Sequence, residues 1–171
     1  MEVNRLYHRQ QVSGAALDSS LVLVVAFGLL SEEGDFSVPA KLFRVTLPVP
    51  DMDRAVACYN RLFDSEGERI APTRHYFHCG ETIVALIDPS GHGGTFRASE
   101  DILYFAVPDL EAAQRRAQEA GCTEMDSDSL DGGGNQIAVR PWGERSFYSR
   151  DPFGNPLCFV HETTLFTGAR G

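Results

Sequence analysis

An internal repeat is the feature that most constrains how this chain can fold. The stretch VTLPVPDMDRAVACYNRLF at residues 45–63 returns 58 residues later as LYFAVPDLEAAQRRAQEAG at residues 103–121. In both copies apolar residues first alternate with period two, Val-Pro-Asp follows, and apolar residues then recur at helical spacing. Each copy predicts a strand that leads directly into a helix, so the chain predicts two modules of the same construction.

Both predicted helices have clear beginnings and one apolar face. Asp51 and Asp109 are typical N-cap residues, and Gly121 is expected to end the second helix. The apolar faces consist of Met52, Ala55, Val56, Tyr59, Leu62 and Phe63 in the first helix, and of Leu110, Ala113, Ala117 and Ala120 in the second.

Short strand patterns fill the rest of each module. We expect strands at residues 74–79, 82–87, 122–125, 136–140, 145–150 and 157–161. The Asp-Pro-Phe-Gly sequence at 151–154 is typical of a type I turn, and the Gly-rich stretch at 126–135 predicts a mobile loop. We therefore predict an α+β fold of two tandem βαβββ modules, which form a curved mixed sheet with the helices on its outer face.

The predicted domain covers residues 39–165, with modules at roughly 41–90 and 99–162. Residues 1–38 form an N-terminal extension, either a docked helix or strand or a segment that the fold does not need. Its apolar run LVLVVAFGLL has ten residues, whereas about twenty are needed to span a bilayer. No Ala-x-Ala cleavage site follows this run. We predict no membrane partner.

Charge and cysteine content exclude some classes of function. The net charge is −9 and no basic face is visible, so nucleic acid is not a predicted partner. The acidic balance favours solubility and, more weakly, cationic ligands. The four cysteines form no CxxC pair, which favours reduced thiols and a cytoplasmic location.

Alternation in the two repeated strands predicts which side chains face a ligand. We expect Phe43, Val45, Leu47, Leu103, Phe105 and Val107 beneath the helices. The opposite, concave face would then carry Arg44, Thr46, Ile102 and Tyr104.

Two stretches, FRVTLPVPDMDRAVACYNRLF near the start and WGERSFYSRDPFGNPLCFV near the end, resemble the vicinal oxygen chelate superfamily. That group includes glyoxalase I, extradiol dioxygenases, fosfomycin-resistance enzymes and bleomycin-resistance proteins. The resemblance covers roughly residues 41–162 and implies the same double βαβββ fold. Metalloenzymes of the group hold a divalent ion with His, Glu or Gln on the first strand of each module and Glu on the last strand.

The resemblance places those ligand positions on Arg44, Ile102, Cys158 and approximately Ala85. Of these side chains only the cysteine is a metal ligand, and one thiolate does not make a site. A guanidinium about 4 Å from a dication is repelled by roughly 8 kcal/mol at an effective dielectric constant of about 20. The resemblance therefore implies this fold without a metal or other cofactor.

Several of these residues have two interpretations. Arg44 would either bind an anionic group of a ligand or pair with an internal acid such as Glu162. Cys158 would be either a reactive thiol or a small buried side chain. Trp142 would either line the pocket or anchor an edge strand.

Other candidates carry less weight. His75 and His78 lie at an odd separation, which places them on opposite faces of a strand and argues against a metal pair. Phe147 is a weaker candidate for the pocket, because a bulge would change the face it occupies.

The resemblance implies a metal-independent protein that binds a small molecule, most like the bleomycin-resistance type, which sequesters a drug without chemistry. Such proteins are homodimers with pockets at or near the subunit interface. The predicted ligand-binding residues are Arg44, Thr46, Ile102, Tyr104, Trp142, Phe147 and Cys158, and no catalytic residue is predicted. The alternatives are a metal-dependent lyase, isomerase or dioxygenase with atypical ligands, and an interaction module whose cavity its own side chains or residues 1–38 fill.

Overall fold

The repeat in the sequence corresponds to two successive βαβββ modules. The computed structural model describes residues 40–125 and 135–168. The first module consists of β1 (Arg44–Pro48), α1 (Met52–Phe63), β2 (Glu68–Ala71), β3 (Arg74–Cys79) and β4 (Thr82–Ile87). The second consists of β5 (Leu103–Val107), α2 (Leu110–Glu119), β6 (Ala138–Val139), β7 (Arg145–Arg150) and β8 (Pro156–His161). Short 3-10 helices follow each module at Pro89–His92 and Glu162–Thr164.

Each module contains a four-stranded mixed sheet. The strand orders are β1-β4-β3-β2 and β5-β8-β7-β6, and in both sheets the first strand runs parallel to the last while the other pairs are antiparallel. This confirms the predicted α+β fold of two tandem modules. Because β1 and β5 are both edge strands, the two sheets are hydrogen-bonded separately and do not form one continuous ladder.

The helix boundaries follow the predicted caps. The Asp51 carboxylate accepts a hydrogen bond from the backbone N–H of Arg54 at 3.0 Å, and the Asp109 carboxylate accepts one from Ala112 at 2.8 Å. Each carboxylate thereby satisfies a donor that has no partner within the helix. Gly121 follows α2 with φ of +82°, a left-handed conformation in which glycine is favoured.

The predicted helical faces form the core. Both faces pack with the inner sides of the two sheets in one cluster that draws residues from both modules. The predicted alternation is confirmed for Leu47, Val45 and β5, but Phe43 was placed incorrectly beneath the helices. Phe43 lies before β1, is 59% exposed, and has its ring centroid 4.8 Å from the guanidinium of Arg44.

Two short segments differ from prediction. The sequence ERIA in β2 shows no alternation, and three of its four side chains are exposed, so hydrophobic periodicity did not indicate a strand. Residues 122–125 form no extended strand; Thr123 makes an isolated bridge to Arg150.

The predicted type I turn at residues 151–154 connects β7 to β8. It also contacts the first module. The backbone N–H of Gly154 donates to the carbonyl of Asp151 at 3.0 Å, as such a turn requires. The buried side chain of Asn155 donates to the Pro48 carbonyl at 2.9 Å, which connects this turn to the end of β1. The two modules also pack through α1 and α2.

Some predictions lie outside the described residues. They concern the extension at 1–38 and most of the predicted loop at 126–135. Within the described ranges no helix is long and apolar enough to cross a membrane.

Candidate functional site

The predicted ligand-binding residues do not come together in one cavity. Arg44 and Thr46 are exposed on the face of β1 that points away from the helices. Tyr104 lines two cavities, but neither includes Arg44 or Thr46. A single concave site lined by all the predicted residues is therefore not formed within the described part of the chain.

Arg44 is held by aromatic rings. Its guanidinium lies 4.7 Å from the ring centroid of Tyr76, on β3. Because β4 lies between β1 and β3, the Arg44 side chain crosses β4 to reach that ring. Ala85, which is paired with both Thr46 and Tyr76, lies on this path and is fully buried. A small side chain at this position leaves room for the guanidinium to cross.

The predicted pairing of Arg44 with Glu162 is not formed. The ion pairs of the described residues are Lys41–Glu81, Arg69–Asp53 and Arg145–Glu111. Arg44 takes part in none of them, and cation–π contacts with Phe43 and Tyr76 hold it instead.

Cys158 and Ile102 belong to a second, small core cluster. Cys158 is fully buried together with Tyr148, Val160 and Met125, and Ile102 packs against this group. Burial raises the pKa of the Cys158 thiol to about 12, so the thiol is protonated at neutral pH. The interpretation of Cys158 as a small buried side chain is supported, because none of its surface is exposed.

Tyr104 and Trp142 line a shallow cavity of about 410 Å³ on the face of the second sheet that points away from the helices. The indole N–H of Trp142 donates to the Glu144 carboxylate at 2.7 Å, which fixes the ring at the rim. Tyr104 is 54% exposed, and its ring packs edge-on against Tyr148 at a centroid distance of 6.3 Å. Both residues can therefore contact a ligand.

Phe147 is not a pocket residue. It is fully buried in the main core and stacks on Phe159, with centroids 5.0 Å apart and planes inclined by 15°. β7 pairs with β8 in continuous register, so Phe147 points to the helix side and its neighbours Ser146 and Tyr148 to the other side. Phe147 was predicted to bind a ligand, but it is instead a residue of the main core.

A larger opening lies elsewhere, between the edge strands β1 and β5. It is a cleft of about 670 Å³. Its walls include Val45 of β1 and Leu103, Phe105 and Val107 of β5. Leu62, Phe63 and Arg116 from the two helices also line it. We call this opening the interstrand cleft.

Of the predicted ligand-binding residues, Ile102 and Tyr104 line the interstrand cleft. Sequence reasoning missed the cleft as a whole because its walls Val45, Leu103, Phe105 and Val107 were predicted to lie beneath the helices. That prediction holds for their orientation, but the edges of β1 and β5 are not hydrogen-bonded to each other and leave the space between them open. The one signal in the sequence is Arg116, a charged residue placed between the buried Ala113 and Ala117 of α2.

The cleft is apolar with a few polar groups. None of its described lining residues is Asp or Glu, and its basic side chains are Arg116 and His78. The Nε of Arg116 donates to the Leu62 carbonyl at 3.2 Å, which ties α2 to the end of α1. Burial raises the pKa of the Cys79 thiol, so this lining residue is neutral near pH 7.

The side chains at the ligand positions of related metalloenzymes do not fit a divalent ion. They are a guanidinium at Arg44, aliphatic groups at Ile102 and Ala85, and a buried protonated thiol at Cys158. Among the residues that the structure describes, no three His, Cys, Asp or Glu side chains come together in a way that could hold a metal ion.

Sequence comparison decides the family. The profile of the Glyoxalase/Bleomycin resistance protein/Dioxygenase superfamily matches residues 41–159. The chain belongs to this superfamily. The match covers both modules and confirms the resemblance seen in the repeated strand-helix openings and the Asp-Pro-Phe-Gly-Asn turn.

Solved structures of the superfamily share the fold. A glyoxalase/bleomycin resistance protein from Albidiferax ferrireducens T118 is 18% identical, with a TM-score of 0.57 over 71% of this chain and 98% of its own. A glyoxalase-related enzyme from Fulvimarina pelagi is 16% identical, with a TM-score of 0.59 over 77% of this chain and 94% of its own.

A third structure carries the name of an enzyme. Lactoylglutathione lyase from Agrobacterium tumefaciens is 20% identical, with a TM-score of 0.56 over 73% of this chain and 96% of its own. At such identities the superfamily likeness establishes the fold alone. No curated protein matches the sequence.

Proposed function

We propose that this chain is a metal-independent small-molecule-binding protein of the glyoxalase/bleomycin resistance superfamily, which sequesters a drug or metabolite. The observation that carries the proposal is the interstrand cleft of about 670 Å³. Ligand pockets are typically about 300–1,000 Å³, mostly apolar, with a few polar groups that orient the ligand. The size and lining of the cleft meet these criteria.

Binding without turnover is favoured by the side chains that replace the metal ligands of related enzymes. The Arg44 guanidinium has no acceptor for a metal ion, and the buried Cys158 is a protonated thiol and not the thiolate that binds metals. The metal-dependent lyase, isomerase or dioxygenase alternative needs ligands from other positions. We assign no catalytic residue.

A homodimer is part of the proposal. Among the described residues, each of the edge strands β1 and β5 has one side unpaired, and exposed strand edges are common sites of association. Leu42, which is 65% exposed, lines the cleft beside β1, and Phe43 is exposed next to it. A second copy that covers these side chains would deepen the cleft. The four free thiols of the chain support the cytoplasmic location that we propose for it.

Binding of the neutral dye Nile red to the purified protein tests the proposal. Ala106 lies on β5, is exposed, and lines the cleft, so Ala106→Trp should fill the entrance. We expect this variant to bind Nile red about tenfold more weakly or worse, a loss of about 1.4 kcal/mol or more.

Ala138→Trp is the matched control, since Ala138 is an exposed strand residue outside the cleft. It should bind the dye like the unaltered protein. Equal binding by both tryptophan variants would contradict a site in the cleft. A stoichiometric divalent ion in the purified protein would favour the metal-dependent alternative.

A further inference from the structure

We infer that the interstrand cleft selects an apolar organic anion, a hydrophobic molecule with one carboxylate, which Arg116 binds. This inference rests on the proposed function, because it names the class of ligand for the same cleft. The acidic composition of the whole chain points instead to cationic ligands, so the inference depends on how charge is distributed around the cleft.

The charge of the cleft is opposite to that of the chain. The chain carries 24 Asp and Glu against 15 Lys and Arg. None of the described residues that line the cleft is acidic, whereas Arg116 and His78 are basic. An amphiphilic cation would therefore meet no compensating carboxylate among these lining residues, whereas an anion would meet a guanidinium.

Arg116 is placed to bind an anion. Among the described residues, the hydrogen bond of Arg116 uses its Nε, which donates to the Leu62 carbonyl, so the two terminal nitrogens are available as donors there. Within residues 40–125 and 135–168 Arg116 takes part in no ion pair. It is partly buried, and a charge-assisted bond gains strength where water is reduced. The bond to Leu62 also holds the guanidinium in a fixed orientation before a ligand arrives.

The other lining residues determine the remainder of the ligand. Phe63 and Phe105 present aromatic surface, and Val45 and Leu103 present aliphatic surface, while Phe77 and Phe159 lie behind them and are almost fully buried. Such walls fit an alkyl chain or an aromatic ring system. A small inorganic anion would leave this apolar surface exposed to water, so a phosphate or sulfate ion alone is not the ligand that the cleft favours.

The test uses dansylaminoundecanoic acid and its methyl ester, two fluorescent probes that differ only in the carboxylate. At neutral pH we expect the acid to bind the full chain about tenfold more tightly than the ester, since only the acid can form a charge-assisted hydrogen bond with the Arg116 guanidinium. Arg116→Gln should lower the affinity for the acid to that for the ester and so abolish this preference. Arg115→Gln, at the exposed neighbouring position on α2, removes the same charge and should retain the preference.

Each outcome has a distinct meaning. Equal binding of acid and ester to the unaltered protein overturns the anion selectivity but leaves the proposed binding function intact. A folded protein that binds neither probe, nor Nile red, overturns both. A preference that survives in Arg116→Gln excludes Arg116 as the anchor.

Two further results bear on the inference. Affinity for the acid that falls as protein concentration rises would show that a second copy occupies the cleft, and would also overturn the inference. If Arg116→Gln does not fold, Arg116→Met replaces it, because methionine keeps the apolar stem without the charge.

Discussion

The hydroxyl of Tyr59 in α1 donates a 2.7 Å hydrogen bond to the carboxylate of Asp151, which lies 92 residues later in the turn between β7 and β8. Both residues are buried. The same carboxylate accepts bonds from the backbone N–H groups of Phe153 and Asn155 and from the Asn155 side chain. The Asp-Pro-Phe-Gly-Asn turn thus satisfies a buried carboxylate and joins the modules through it.

Tyr59→Phe should lower the free energy of unfolding by about 1.5–3 kcal/mol, because it removes one charge-assisted donor from a buried carboxylate and leaves the ring in place. Urea unfolding followed by circular dichroism measures the change. Tyr76→Phe is the control, since it also removes only a hydroxyl. The Tyr76 ring, which forms the cation–π contact with Arg44, is kept. A loss in Tyr59→Phe no larger than in the control would show that this bond contributes little.

The elements that the sequence predicted well are those with complete local signals. α1 and α2 have an N-cap aspartate and an apolar face, and β3 and β4 are separated by a Gly-Glu turn, so their positions depend on neighbouring residues alone. β2 carries no such signal in its own residues. It forms a strand through its antiparallel pairing with β3. The bond between Tyr59 and Asp151 depends on how the modules pack, which local patterns do not determine.

Phe147→Ala should lower the free energy of unfolding by about 3–5 kcal/mol, because the ring is fully buried and its removal leaves a cavity in the main core. Tyr104→Ala should cost less than about 1 kcal/mol, since Tyr104 is largely exposed on the edge strand β5. Chemical denaturation of both variants compares the costs directly. Similar costs would contradict the assignment of Phe147 to the core and of Tyr104 to the surface.

The candidate site was less predictable than the fold for a physical reason. Alternation assigned Arg44 and Tyr104 correctly to the faces turned away from the helices. It carries no information on whether two sheets join at their edges, and the opening between β1 and β5 depends on that relationship. Arg116 contributes to the cleft because α1 packs against α2, which is a tertiary contact.

Alkaline pH should destabilise the protein partly through Cys158. Burial raises the pKa of this thiol to about 12, whereas a thiol in an unfolded chain has a pKa of about 8.5. The folded state holds the proton more tightly, so its contribution is complete below about pH 8.5 and is lost as the pH rises toward 12. Removing the thiol should therefore make the free energy of unfolding less dependent on pH, by up to about 1.4 kcal/mol per pH unit.

Cys158→Ala and Val160→Ala test this effect together, because both residues belong to the same buried cluster but only one titrates. Each should be less stable than the unaltered protein at pH 7 through lost packing. Between pH 8.5 and 10.5 only Cys158→Ala should show the shallower slope. Parallel slopes for the two variants would assign the alkaline loss to other groups, such as Tyr59 and Tyr148, whose pKa values burial also raises.

Millimolar Mn²⁺ or Ni²⁺ should leave the thermal unfolding midpoint unchanged. A ligand that binds only the folded state raises its stability, and a metal ion held in this domain would do so measurably. The Arg44 guanidinium and the side chains of Ile102 and Ala85 provide no ligand, and guanidinium repulsion opposes a dication there. Differential scanning calorimetry with and without a chelator measures the shift. An increase of several degrees that the chelator reverses would show a metal site built from other residues, and would favour the enzyme alternative over sequestration.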